Sequence, residues 1–304
     1  MSRPANIRVR HTVVGVLGLA YLPLFASLLE QSSSNPYAGH VTIVPILAAV
    51  LLWVDRRHLR DSRNGDPTTS VALAAVAALL LATGYGSGDI VLQIWSFVAA
   101  IAAVLWWLCG PPGIRRAAFV LGFLALMIPP SRNVFVTIAS GLQHVVAVVV
   151  AIIAHVVQVP AQQEGVFLRL PGLTLEVAEE CSGLRFLLIL LVCVTAFARL
   201  ALPTISGQLV LIALSVPVAV LANIMRVAAT TLAAYALGSH VATGPSHYYI
   251  GKAFWAAAVL VMITMAMFIR ARTNAATRND GCAAQPLSDL CLRAEPSAPT
   301  GASL

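Results

Sequence analysis

Apolar runs of bilayer length recur along most of this 304-residue chain, and they constrain its fold more than any other feature. Only 10% of the residues are charged, 59% are hydrophobic, and the mean hydropathy is +0.86. An ordinary soluble protein has about a quarter of its residues charged, so this composition excludes a water-soluble fold. Because about 20 apolar residues cross a bilayer as a helix, the sequence predicts an all-α polytopic membrane protein.

Eight segments are apolar enough to be membrane-spanning helices. The predicted spans are 13–30, 36–54, 70–87, 89–109, 117–131, 182–200, 205–224 and 251–270. Arginines cluster before the first span, after the second, and between the fourth and fifth, so the positive-inside rule predicts a cytoplasmic N-terminus. The net charge of +7 belongs to these short loops. We therefore predict the lipid bilayer, and no nucleic acid, as the partner of the basic residues.

The chain divides into three parts by composition. We predict a cytoplasmic N-terminus over 1–12, a transmembrane domain over 13–271, and a disordered cytoplasmic tail over 272–304. The tail is rich in Ala, Pro, Ser, Thr and Asn and has no apolar period, which is typical of disorder. No cofactor and no metal site is predicted, because the five cysteines form no CxxC pair and there is no HExxH motif.

The segment 134–158 allows two interpretations. It is long and apolar enough to be a ninth span, yet small and polar residues recur along one helix face, which favours an amphipathic helix on the outer membrane surface. With eight spans, the arginines after residue 269 fall on the cytoplasmic side; with nine, they would fall outside. The residues of that face are Thr137, Ser140, His144, Ala147, Ala151, His155 and Gln158.

One segment on the predicted outer side contains candidate catalytic residues. Residues 166–170 and 173–177 are β-prone runs around the turn Pro171-Gly172, so we predict a short outer β-hairpin. The hairpin leads to Glu180 and Cys181 at the start of the sixth span. There the unpaired amide groups and the helix dipole favour a thiolate. Arg185, one turn later, adds a positive charge.

Two further polar sites are predicted on the same side. Asn223 and Arg226 lie three residues apart near the outer end of the seventh span, and His247 precedes the last span. A thiol, an imidazole and a fixed cation are the groups that nucleophilic acyl transfer requires. Each has a plainer interpretation: Cys181 as a small apolar residue, Arg226 as a side chain reaching the interface, and His247 as part of an aromatic belt.

Two other classes of function are open. A transporter or channel with a polar outer vestibule would use Arg226, His144 and glutamates along a pathway, although the spans are almost uncharged between their ends. A membrane thiol oxidoreductase would need a second outer cysteine. Cys193 lies about three turns below Cys181 on the same helix, and Cys109 is at the inner end of its span.

The motif around Cys181 resembles that of the exosortase/archaeosortase family of membrane transpeptidases. The resemblance covers roughly residues 35–270, and the Cys-Ser-Gly-Leu-Arg string is its most specific part. The residues that carry it are Leu175–Phe186, Ala222-Asn-Ile-Met-Arg226, His247 with Gly251, Tyr37-Ala-Gly-His40 with Trp53, and Gly165.

This resemblance implies that Cys181 is a nucleophile, Arg226 an activating or oxyanion-stabilising residue, and His247 a general acid and base. It also adds His40 to the candidate residues, while Asn223, Glu180 and Arg185 are candidate supporting groups. The implied partners are secreted proteins with a C-terminal motif, one transmembrane helix and a basic cluster, and an unknown surface acceptor. The implied location is the cytoplasmic membrane, with the site facing the periplasm or exterior.

Overall fold

The computed structural model describes residues 5–34, 38–60 and 65–283, and helices make up most of them. Within these ranges the chain forms nine helices and a small sheet. The helices are α1 (Ala5–Ser34), α2 (Ile43–Arg60), α3 (Pro67–Ser87), α4 (Ile90–Leu124), α5 (Arg132–Val156), α6 (Leu184–Ala201), α7 (Ile205–Leu237), α8 (His240–Thr243) and α9 (Pro245–Ala283). The strands are β1 (Gln162–Glu164), β2 (Phe167–Leu170) and β3 (Leu173–Glu176).

Six of the described helices are long and apolar enough to cross a membrane. They are α3, α4 with the short turn that follows it, α5, α6, α7 and α9. The prediction of an all-α, multi-pass membrane protein is therefore confirmed. The count of eight spans stays a prediction, because α1 and α2 are not among the six and α4 combines two of the predicted spans.

Helix α4 is interrupted where the sequence separates the fourth and fifth predicted spans. Gly110 has φ of 61° and ψ of −165°, which is not a helical conformation. Pro111 and Pro112 follow and have no N–H groups to continue the hydrogen-bond ladder. A 3-10 turn, Ala125–Met127, ends this region. The predicted spans 89–109 and 117–131 thus lie on the two sides of one broken helix.

The last helix is longer than its apolar run. Helix α9 continues to Ala283, beyond the predicted end of the span near residue 270 and into the segment predicted to be disordered. The residues after 270 include several Ala and Arg, which favour helix even without apolar burial. Residues 284–304 of the predicted tail lie outside the described residues.

The first four helices share one apolar core that contains a buried series of hydrogen bonds. Leu24, Val44 and Ile94 are fully buried there. The Tyr21 hydroxyl lies 2.6 Å from Ser96 Oγ, which donates to the carbonyl of Ala77 at 2.7 Å. Because hydrocarbon offers no hydrogen-bond partner, these two hydrogen bonds fix the relative positions of α1, α3 and α4.

Helices α6, α7 and α9 form a second packed unit, and it carries the site. Their shared core includes Leu190, Leu211 and Met262, each at most 1% exposed. Ala198 of α6 and Ala258 of α9 are buried in the same core. Such small residues let helix backbones approach closely in a membrane.

The small sheet packs on one end of this unit. Its strands are antiparallel in the order β1-β2-β3, with Leu168 of β2 opposite Leu175 of β3. The inner face of the sheet packs against Val150 of α5 and Val227 of α7. Strand β3 therefore runs beside α7 toward Cys181. Helix α5 is long and apolar enough to cross the membrane. Its position on the outer membrane surface stays a prediction.

Candidate active site

Cys181 lies in a tight turn just before a membrane helix. The 3-10 turn Glu179–Cys181 separates β3 from α6, and the Cys181 amide donates to the carbonyl of Ala178 at 2.8 Å. Helix α6 begins at Leu184, so Cys181 precedes the first helical turn instead of occupying it. The positive charge beside the Cys181 thiol therefore belongs to a side chain of another helix, in addition to the partial charge of the α6 dipole.

Asn223 of α7 holds this turn in place. Its Nδ2 donates to the carbonyl oxygen of Cys181 at 2.9 Å, and the side chain is 3% exposed. The two residues are 42 positions apart in the sequence. This hydrogen bond fixes the main chain that carries the thiol relative to α7.

Gly183 allows that close approach. Its φ of +82° is in the left-handed region, which L-residues with side chains rarely adopt. A Cβ atom at this position would lie 2.5 Å from Cγ of Asn223 and 2.6 Å from its Nδ2. The Cys-Ser-Gly string thus has a physical requirement for glycine in its third position.

Arg226 contacts both other members of the predicted triad. Its Nη2 lies 3.7 Å from Cys181 Sγ and 3.0 Å from His247 Nε2. Arginine can only donate hydrogen bonds, so Nε2 of His247 is the acceptor. A neutral His247 then carries its proton on Nδ1. The guanidinium places a fixed positive charge between the sulfur and the imidazole.

Three polar atoms at this site have no hydrogen-bond partner among the described residues. They are Asn223 Oδ1, Arg226 Nε and His247 Nδ1, and all three are buried. A buried polar atom without a partner costs about 1–3 kcal/mol, so these three atoms are available to form hydrogen bonds with a bound molecule. The arrangement offers both donors and an acceptor to a polar ligand.

Two small cavities adjoin Cys181, Arg226 and His247. A cavity of about 70 Å³ lies between the inner face of the sheet and α7, and its lining includes Cys181, His247 and Glu176. A second, of about 20 Å³, lies between α6, α7 and α9 and is lined by Asn223 and Arg226 with aromatic side chains. The thiol, the guanidinium and the imidazole therefore lie where the sheet contacts the helix bundle.

The remaining predicted residues have other positions. Arg185 is exposed, and its Nε lies 3.6 Å from the position that a Cβ atom of Gly39 would take. His40 is 4% exposed in the turn before α2, next to that glycine. Glu180 lies in the turn before α6, and the placement of its side chain is outside the described part of the structure. Tyr37 also lies outside the described residues.

Three structural contributors were not predicted from the sequence. The Gln143 side chain of α5 donates to the carbonyl of Val177 at 2.9 Å, which anchors the chain between β3 and Cys181. Thr230 and Thr231 of α7 line the cavity that contains the thiol. Their only sequence signal is polarity within an apolar helix. Within the described ranges, no group of three His, Cys, Asp or Glu side chains could hold a metal ion.

The fold and the site together define a class: a multi-pass helical membrane protein in which a cysteine, an arginine and a histidine from three segments meet at one end of a helix bundle. The model of the family described as transmembrane exosortase (Exosortase_EpsH) matches residues 31–264. The chain therefore belongs to this family, and the resemblance seen in the sequence is confirmed. No curated protein and no solved structure gives a significant match.

Proposed function

We propose that this protein is a membrane-embedded cysteine endopeptidase and transpeptidase. It cleaves the C-terminal sorting signal of secreted proteins and transfers their new carboxyl end to a surface acceptor. The observation that carries this proposal is the position of the Arg226 guanidinium, 3.7 Å from Cys181 Sγ and 3.0 Å from His247 Nε2. Membership of the exosortase family supports it.

In the first half of the reaction, the Cys181 thiol gives its proton to His247, and the resulting thiolate attacks the carbonyl carbon of the scissile amide to form a C–S bond. Arg226 stabilises the oxyanion of the tetrahedral intermediate with the positive charge and N–H groups of its guanidinium. Loss of one such donor typically costs about 3–4 kcal/mol in the barrier. The C–N bond then breaks, and protonated His247 gives its proton to the departing amine.

In the second half, the thioester is consumed. The acceptor nucleophile loses its proton to His247 and attacks the thioester carbonyl, and the C–S bond breaks to return the Cys181 thiolate. The acceptor determines whether the product is a conjugate or, with water, a free carboxylate. Asn223 orients the Cys181 main chain, and we assign Glu180, Arg185 and His40 supporting roles around this centre.

The proposed orientation places the site on the outer side of the cytoplasmic membrane. The supporting observation is the distribution of basic residues. Arg199 at the end of α6 pairs with Asp55 near the end of α2 at 3.3 Å, at the bundle end opposite Cys181. Arg56 and Arg57 follow Asp55 in α2, and the positive-inside rule assigns the end that carries them to the cytoplasm.

A processing assay in cells tests the proposed function. The reporter is a secreted protein of the same genome that ends in a short motif, one membrane helix and a basic cluster. We expect wild-type protein to shorten the reporter and Cys181→Ala to abolish shortening. Cys193→Ala, on the same helix, is the matched control and should process normally. Processing by the Cys181→Ala variant would overturn the proposal.

A further inference from the structure

Along the edge of β3 that faces away from β2, the main-chain groups have no neighbouring strand among the described residues. The Val177 amide donates to the Val166 carbonyl, which makes 166 and 177 a hydrogen-bonded pair. Hydrogen-bonded pairs alternate along antiparallel strands, so Leu175 and Leu173 also direct their N–H and C=O groups toward β2. Thr174 and Glu176 direct theirs away from it. In the described part of the chain, no strand pairs with that edge.

This edge leads directly to the reactive sulfur. Four residues separate Glu176 from Cys181, and both line the same cavity together with His247. The remaining lining is mostly apolar or small, with Leu175 and Ala242 among its members. A chain segment laid along β3 would therefore end at the thiol, with the cavity beneath it.

From this geometry we propose that the free edge of β3 binds the substrate segment next to the scissile bond as an added β-strand. The inference rests on the proposed function, and it names the form in which the substrate is held. The occupant is an extended peptide whose main-chain groups hydrogen-bond to Thr174 and Glu176. Strand addition of this kind takes its affinity from the main chain and its selectivity from alternate side chains.

The chemistry of the edge favours a peptide over other occupants. Lipid chains cannot satisfy N–H and C=O groups, so they leave the edge with its hydrogen-bonding capacity unused. Extended peptides present the same groups at the strand repeat. Because side chains alternate, one substrate residue would direct its side chain into the cavity of about 70 Å³ and its neighbours would not. That position should accept only a small side chain.

A scan of single N-methyl groups tests the inference. The probes are fluorescent synthetic peptides covering the reporter residues just before its membrane helix, each with one amide N-methylated. Affinity for the Cys181→Ala variant is measured by anisotropy in detergent micelles. We expect binding to weaken about tenfold, the equivalent of about 1.4 kcal/mol, at every second amide and to stay near the parent value at the amides between.

The binding and cleavage measurements separate the two proposals. An N-methyl effect without a two-residue period, or no binding of the parent peptide, would overturn strand addition. Cleavage of the parent peptide by wild-type protein tests the proposed function by itself. Cleavage without alternation overturns only strand addition, whereas alternation without cleavage overturns the proposed reaction.

A pair of proline variants tests the edge from the protein side. Thr174→Pro removes an outward N–H and keeps the bonds to β2, which is where strands tolerate proline. Gln163→Pro does the same on the opposite edge of the sheet, since the register directs its N–H away from β2. We expect about tenfold weaker peptide binding for Thr174→Pro and wild-type binding for Gln163→Pro. Equal binding by the two folded variants contradicts the inference; if Thr174→Pro does not fold, the N-methyl scan decides.

Discussion

Substitution of Gly183 by alanine is the most direct test of how the thiol is positioned. The glycine has φ of +82°, and an added Cβ would lie 2.5 Å from Asn223 Cγ. Gly88, the residue after α3, has a similar φ of +71° but no atom within 4 Å of its Cβ position. Gly88→Ala is therefore a matched control, because it has the same backbone strain without the contact.

The size of the effect follows from these distances. The left-handed backbone costs an alanine about 1–2 kcal/mol at either position. Carbon atoms in contact are normally about 3.5–4.0 Å apart, so Asn223 must move by about 1 Å in the Gly183→Ala variant. Its hydrogen bond to the Cys181 carbonyl, 2.9 Å in the structure, would then be broken.

Two measurements should separate the variants. In chemical unfolding in detergent micelles, Gly183→Ala should lose about 1–3 kcal/mol more than Gly88→Ala, since buried polar groups lose their partners. In reporter cleavage, Gly183→Ala should be about 100-fold slower, because a displacement of about 1 Å at a reacting group has that cost. Gly88→Ala should cleave at the wild-type rate. Equal stability and equal cleavage rates for the two variants would refute this account of Gly183 and Asn223.

Three further substitutions have defined outcomes. Arg226→Lys should slow reporter cleavage about 100- to 1,000-fold, because one ammonium cannot replace the guanidinium between sulfur and imidazole, whereas Arg199→Lys, at the opposite end of the bundle, should cleave normally. Gly251→Ala should keep close to the wild-type rate, since its Cβ would lie 3.5 Å from Arg226 Nε, an ordinary contact; a large loss would show that this packing is tighter than described. Ser96→Ala should lower the free energy of unfolding by about 1 kcal/mol because it leaves the Tyr21 hydroxyl without its partner, and unchanged unfolding would contradict that role.

Much of the architecture is local and could be predicted from the sequence. An apolar run must form a helix in lipid, because no other arrangement of one segment satisfies its own main-chain groups. The Gly110-Pro-Pro break is also local, since it follows from the dihedral preferences of these residues. The end of α9 was harder to predict from the sequence, because past the apolar run only weak helix propensity distinguishes a continuing helix from a loop.

The sequence by itself placed Cys181, Arg226 and His247 near the predicted outer ends of their segments, because span boundaries and a specific motif are readable in one dimension. It could not determine which side chains touch. The 2.9 Å bond from Asn223 to Cys181, the contact that requires Gly183 to be glycine, and the exposure of Arg185 all depend on how α6, α7 and α9 pack. Only the tertiary structure decides them, because side-chain distances between segments depend on helix rotation and crossing, which hydropathy does not encode.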